Sequence, residues 1–194
     1  RDGSSVILID GDMLVYRVGF ECEEGCEEVA TQTLDNYLSE MVMDLSEHYT
    51  SSIVYLTGKG NFRDEVATTQ PYKGNRDNKR VPVHKNLLRD YMVTEWNAQV
   101  VNGMEADDAI AIKATELDHD VIICSLDKDF KQIPCRMYDY TKKNLNAFNS
   151  DDAMRWLYKQ ALMGDRVDNI PGIHGVGPKK ADKILADCTT EAGM

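Results

Sequence analysis

Val6-Ile7-Leu8-Ile9-Asp10-Gly11-Asp12 is the stretch on which the fold turns. Four branched aliphatic residues follow one another without the alternation of a half-exposed strand. Such a run reads as a strand buried on both faces, the kind found in parallel sheets. It stops at an acid, a glycine and a second acid, which favour turns over strands. Val121-Ile122-Ile123-Cys124 repeats the pattern and stops at Ser125-Leu126-Asp127. Between the two runs, residues 31–48 carry apolar side chains at helical spacing (Leu34, Leu38, Met41, Leu45). Residues 52–56 read as a second strand and 99–102 as a brief third. Residues 105–117, rich in Ala and Ile, read as a helix, and 137–140 as a last strand. Strands alternating with helices predict an α/β fold with a mostly parallel central sheet flanked by helices.

The character of the chain changes twice. Residues 59–90 are polar and basic, with few periodic apolar positions, and read as a long excursion from the core. Beyond about residue 150 the pattern becomes helical with glycine turns. The expected division is therefore a core at 1–150 and a small helical subdomain at 151–194. The sequence stops soon after a helix, at Glu191-Ala192-Gly193-Met194, and is expected to be truncated at that end.

The chain has 194 residues, 42% of them hydrophobic, enough to bury a core. No stretch approaches the roughly 20 apolar residues that span a bilayer, and the N-terminus lacks the pattern of a signal peptide. A cytosolic protein with no membrane partner is expected. Five cysteines, an odd number without a regular framework, read as free thiols rather than a disulfide scaffold.

A net charge of −11 argues at first against a nucleic-acid partner. Its distribution changes that. Residues 1–50 carry twelve acids against two bases, leaving 21 acids and 20 bases elsewhere. Seven of those 21 belong to the clusters described next, so the remaining surface there is basic. Acidic bulk charge serving only solubility is the plainer alternative.

Three acid groups follow apolar runs: Asp10 with Asp12, then Glu105-Ala106-Asp107-Asp108, then Asp127-Lys128-Asp129. Ligands of open α/β sheets gather beyond the carboxyl ends of the strands, so all three groups are expected on one edge. Gathered carboxylates repel, and burying them uncompensated is costly. A hard divalent cation with oxygen ligands resolves both problems. Glu105 and Asp108, three apart, share a helix face. Taken singly, each group has an ordinary reading as a helix cap, a turn or a polar loop. Their coincidence at strand ends favours a metal site. Asp165 and Asp168, again three apart, are candidates for a second metal position.

Ile170-Pro171-Gly172-Ile173-His174-Gly175-Val176-Gly177-Pro178-Lys179-Lys180 reads as a glycine turn entering a new helix at Pro178. Gly172, Gly175 and Gly177 would let backbone amides approach a phosphate, and Lys179 and Lys180 add charge at the helix start. Such a contact reads the backbone, not the bases. A dinucleotide-binding loop is disfavoured, because no strand precedes it and the third glycine is missing.

Together the motifs show a family likeness. In order they are Ile9-Asp10-Gly11, Tyr72-Lys73-Gly74-Asn75-Arg76, Glu105-Ala106-Asp107-Asp108, Asp127-Lys128-Asp129, Gly164-Asp165, Asp168-Asn169-Ile170-Pro171-Gly172 and Gly175-Val176-Gly177. The chain resembles the phage-type 5′–3′ exonuclease and flap endonuclease family, which includes the 5′-nuclease domain of bacterial DNA polymerase I. The resemblance implies a helical arch over the active site, placed at about 59–95, and a helix-hairpin-helix subdomain gripping duplex DNA. It implies two Mg²⁺ or Mn²⁺ ions. One would lie near Asp10, Glu105, Asp107, Asp108, Asp127 and Asp129. The other would lie nearer Asp165 and Asp168. It implies that Lys73 and Arg76 approach the scissile phosphate, and that the hairpin holds K⁺. The implied partners are DNA with free 5′ ends or 5′ flaps, and replication proteins. A monomer is expected, in the host cytoplasm if phage-encoded.

Arg63, with Lys79, Arg80 and Lys85, reads as a steering charge. Tyr72 is a candidate to stack on a base, with packing inside the arch as the alternative. Two departures stand out. Family members commonly carry an aspartate after the second strand, where this chain has Thr57-Gly58. Asp12 stands where many relatives have an uncharged polar residue, and it is the candidate to compensate. The expected function is thus a metal-dependent, structure-specific 5′-nuclease. The alternatives are a PIN-like ribonuclease and a non-catalytic DNA-binding relative.

Overall fold

The computed structural model describes residues 5–76, 79–117 and 121–188. Those residues form two compact units. The first takes its described residues from 1–61, 80–130 and 135–147, the second from 62–79, 131–134 and 148–194.

The first unit is built on β1, Val6–Asp10, whose five residues are all buried. It lies between β2, Ser51–Asn61, and β4, Val121–Cys124, parallel to both. Ile9 sits in register with Val54 on one side and Cys124 on the other. Outside β2 lies β3, Gln99–Gly103, and outside β4 lies β5, Arg136–Asp139, both parallel to their neighbours. A sixth strand, β6 (Asn144–Ala147), closes the edge antiparallel to β5, giving the order β3-β2-β1-β4-β5-β6. The parallel core agrees with the buried aliphatic runs. β6 was not expected, because Asn-Leu-Asn-Ala is short, rich in Asn and exposed throughout. Its pairing is set by the turn before it, where Asp139 Oδ1 accepts from the backbone of Thr141 and Lys142.

Helices cover the sheet. α1, Gly11–Glu21, starts where β1 stops, and Asp10 caps it by accepting from the Met13 amide. α2 spans Glu27–Leu45 and buries Ala30, Leu34, Leu38, Met41 and Leu45. α5, Ala106–Leu117, follows β3. Among the described residues no helix is long and apolar enough to cross a membrane. All five cysteines are free thiols, and burial pushes the Cys124 thiol up.

The stretch 59–95, expected as an arch, divides between the units. Residues 62–79, with the short α3 (Arg63–Val66) and a 3-10 turn at Gly74–Arg76, join the second unit. α4, Lys85–Glu95, belongs to the first. Its Leu88 and Met92 are fully buried in the same core as Leu14, Val18 and Leu34. Tyr91 and Trp96 both donate to Asp35 of α2, at 3.1 and 3.0 Å. Two fully buried side chains at (i, i+4), with Tyr91 and Trp96 packed beside them, are enough to seat the helix. Leu88→Ala is expected to cost about 2–5 kcal/mol by leaving a cavity. Urea unfolding checks this, and a loss below about 1 kcal/mol would remove α4 from the core.

In the second unit, α6 (Ser150–Met163) opens with a capping box between Asn149 and Asp152. It leads into a minimal antiparallel pair, β7 (Gly164–Asp165) with β8 (Ile170–Pro171), and then α7, Pro178–Leu185. Arg155 of α6 donates to the Leu185 and Cys188 carbonyls, and Lys159 pairs with Asp182 at 2.6 Å. The second unit takes its C-terminal described residues from 148 onward. The second unit also recruits 62–79 and 131–134.

Candidate active site

The strand order reverses at β1, with β2 and β3 to one side and β4 to β6 to the other. The crevice beyond the carboxyl ends of β1 and β4 is the topological switch point, the usual ligand position in such sheets. Asp10 ends β1 there and is buried. Its Oδ1 accepts from the Met13 amide at 3.1 Å, and its Oδ2 accepts from the Ser125 hydroxyl at 2.8 Å. Ser125 Oγ in turn accepts from the Asp127 amide at 3.0 Å, and Asp127 Oδ1 accepts from the Asp129 amide at 2.9 Å. One hydrogen-bonded chain therefore joins the end of β1 to the loop after β4. Burial pushes the Asp10 carboxyl up to about 6 against the lowering effect of the Met13 and Ser125 hydrogen bonds, with the charges of Asp12 and Asp127 adding to the rise.

Glu105, Asp107 and Asp108 stand at the start of α5. The Glu105 amide donates to Asp108 Oδ2 at 3.1 Å, and the Asp108 amide to Asp107 Oδ1 at 2.7 Å. The next amide, that of Ala106, donates to Thr57 Oγ1 at 2.8 Å, which ties the helix start to β2. Asp12, the candidate to compensate for the missing carboxylate, is engaged by its neighbours. Its Oδ1 pairs with Arg89 at 2.7 Å and its Oδ2 accepts from the Thr57 amide at 2.9 Å, so its charge is already answered. Gly58 leaves no room for an acid. A Cβ there would meet Asn102 Oδ1 at 2.3 Å and the Val101 carbonyl at 2.5 Å. Ser125, Thr57 and Arg89 were not singled out in the sequence. A polar residue closing a buried strand was the available signal for Ser125. Arg89 gave none, because α4 itself went unrecognised.

Lys73, Tyr72, Arg63, Asp165 and Asp168 all lie in the second unit. The Lys73 amide donates to the Asp168 carbonyl at 3.0 Å, and the Tyr72 hydroxyl to Asp168 Oδ2 at 3.4 Å. Asn75 donates to the Arg166 carbonyl at 2.7 Å, and Asn169 to the Pro71 carbonyl at 3.0 Å. The Tyr-Lys-Gly-Asn loop and the acidic loop, far apart in sequence, are thus stitched into one structure. Tyr72 carries Arg63 and Lys73 over its ring, at 5.6 and 4.9 Å. Asp165 is buried, and its Oδ1 accepts from the Val167 amide at 2.8 Å. The Arg76 side chain lies outside the described residues.

In the hairpin, the three glycines differ. Gly172 is pressed against the end of α6, where a Cβ would lie 2.1 Å from the Met163 carbonyl carbon. Its role is close packing. Gly175 takes φ +73, and Gly177 precedes α7 as an N-cap without a side chain. Both would present a Cβ to open space, and Lys179 and Lys180 are exposed beside them. That end of α7 is therefore accessible to an anion.

Among the described residues, no three His, Cys, Asp or Glu side chains close around one point as a metal cage. The hydrogen bonds above instead hold the acids of the first unit along one sheet edge. Their chemistry nonetheless suits a hard divalent cation, because every donor is a carboxylate oxygen. The buried Asp10 carboxylate, disfavoured as a bare charge, is a group that such a cation would stabilise.

Residues 5–158 match the family described as 5′–3′ exonuclease, N-terminal resolvase-like domain. The chain is 30% identical over 207 residues to DNA polymerase I of Bacillus caldotenax, covering 93% of this chain and 23% of that one. It is 29% identical to the 5′–3′ exonuclease of Mycoplasma pneumoniae, covering 93% of this chain and 71% of that one. The chain thus spans about a quarter of the polymerase relative and most of the shorter exonuclease. In structure it is similar to the bacteriophage T5 D15 flap endonuclease, solved as a pseudo-enzyme–product complex with DNA and metal ions. The TM-score is 0.72 at 22% identity, covering 93% of this chain and 74% of that one, a likeness of fold. The match across most of its length places the chain in the family of 5′–3′ exonuclease N-terminal, resolvase-like domains.

Proposed function

We propose that this chain is a metal-dependent 5′-nuclease that hydrolyses phosphodiesters in DNA, acting as a 5′–3′ exonuclease or flap endonuclease. The observation that carries the proposal is the hydrogen-bonded run from buried Asp10 through Ser125 to Asp127 and Asp129 at the switch point of the sheet. Bound divalent cations would supply a water nucleophile at neutral pH and stabilise the attacking and leaving oxygens. Asp10, Asp127 and Asp129, with Glu105, Asp107 and Asp108, would hold the first ion, and Asp165 and Asp168 would serve the second. Ser125 orients Asp10 by donating to its Oδ2, which keeps the carboxylate in one rotamer. Lys73 and Arg76 would neutralise charge that develops on the phosphate. The hairpin amides near Gly175 and Gly177, with Lys179 and Lys180, would take the DNA backbone without reading its sequence.

One observation favours a second reading. The close packing around Gly58 leaves no room for the carboxylate that the family resemblance implies there, as a non-catalytic DNA-binding protein would tolerate. A 5′-labelled flap DNA, digested with Mg²⁺, Mn²⁺ or a chelator and sized, separates the two. Cleavage near the flap junction that the chelator abolishes is expected. Flap binding without cleavage in either metal would leave the binding protein. Preferential cleavage of a matched RNA would point to a ribonuclease.

A further inference from the structure

Asp12, Arg89 and Thr57 form a closed ring. Arg89 donates through one amino group to Asp12 Oδ1 at 2.7 Å, and through the other to the Thr57 carbonyl at 2.5 Å. Asp12 Oδ2 takes the Thr57 amide at 2.9 Å. Both backbone polar groups of Thr57 are therefore held, one by each member of an ion pair whose side chains are largely covered. The ring continues outward, because Thr57 Oγ1 accepts the Ala106 amide at the first residue of α5. The Gly58 backbone is locked from the other side, where the Lys59 amide donates to Asn102 Oδ1 at 2.8 Å. Four elements meet at this ring: the first turn of α1, the middle of β2, α4 through Arg89, and the start of α5. α1 begins immediately after Asp10, and α5 begins between Glu105 and Asp107.

We propose that Arg89 is a positioning residue for the acidic edge: with Asp12 it clamps the Thr57 peptide, and through Thr57 it holds the Glu105–Asp108 carboxylates in register with Asp10 for cation binding. The guanidinium is needed because a planar fork spans a carboxylate and a carbonyl together, which a lysine ammonium does less well. Where the family resemblance implies a carboxylate, this chain has a rigid strut. The proposal rests on the reading of this edge as a metal site.

Electrostatics and positioning predict opposite signs for the loss of Arg89. Removing a positive charge beside the acids makes the edge more negative, so charge alone predicts tighter cation binding. Loss of the clamp predicts weaker binding. The test is Mn²⁺ affinity, followed by electron paramagnetic resonance of free Mn²⁺ on the whole chain, well below its melting temperature. Arg89→Met is expected to weaken Mn²⁺ binding by about 10-fold or more, the scale on which partners of metal ligands act. Arg89→Lys should recover part of the loss. Thr57→Val, which removes only the hydroxyl that holds α5, should weaken binding in the same direction, and Thr57→Ser should restore it. Parent-like or tighter binding in folded Arg89→Met overturns the clamp and leaves the nuclease reading standing. A parent that binds no Mn²⁺ overturns the metal site and the clamp with it.

Discussion

Asparagine at both 127 and 129 is expected to abolish metal-dependent cleavage, by more than about 10³-fold, the scale of losing a principal electrostatic stabiliser. The expectation rests on how these two acids are built into the loop after β4. Asp127 uses its amide to reach Ser125 and its Oδ1 to accept the Asp129 amide. An asparagine carbonyl can accept the same amide, so the loop should keep its shape. What disappears is two negative charges, and with them most of the attraction for a divalent ion. A single asparagine would leave the other carboxylate of this loop and an amide oxygen beside the remaining acids, a weaker site but still a site, which is why both are changed. Flap binding by gel shift should stay within a few-fold of the parent, because the phosphate contacts are proposed to lie with the hairpin and its lysines. The melting temperature in chelator should not fall, since like charges have been removed from one edge. Cleavage within tenfold of the parent in Mg²⁺ would take Asp127 and Asp129 out of the metal site. A collapse of DNA binding alongside cleavage would show that they shape the surface instead.

The parallel sheet was legible because its strands are buried on both faces, and Val6–Ile9 and Val121–Cys124 have no other good solution. The acids at their ends were legible for the same reason, since strand ends in such a sheet fall on one edge. What the sequence hid is of two kinds. One is the helix whose apolar stripe is narrow. α4 buries only Leu88 and Met92 fully, while Tyr91 and Trp96 pack on the core from its edge and donate to Asp35. Hydrogen bonds of that sort leave no periodicity. The other is the long-range pair. Asp12 looked like a spare ligand until Arg89, 77 residues away, was seen to hold it. The tie between the Lys73 loop and the Asp168 loop, which joins residues 95 positions apart, was hidden likewise. Gly58 is the converse case. Its place in the sequence suggested only a missing acid, whereas the packing of β2 on β3 shows that no side chain fits there at all.

Lys73→Ala and Lys73→Gly should both lower turnover by about 10²-fold, yet the glycine variant should be the more stable of the two. Lys73 holds φ +53, a left-handed conformation that costs a residue with a side chain about 1–2 kcal/mol. Its amide donates to the Asp168 carbonyl, and its neighbour in that contact, Asn169, holds φ +60. Two such residues face each other across one set of hydrogen bonds, and strain of this kind persists where the surroundings over-determine it. If Lys73 mattered only for shape, glycine would serve better than lysine, and the glycine variant would be stable and active. If its ammonium neutralises charge in the transition state, glycine and alanine must fail alike, whatever they do to stability. The loss should fall on kcat with KM little changed, because the contact strengthens as charge develops on the phosphate. Melting curves and single-turnover cleavage of a flap substrate give both quantities on the same protein. A glycine variant that gains stability and keeps parent-like turnover would return Lys73 to a backbone role. Equal losses of turnover with divergent stability would separate its chemistry from its place in the loop.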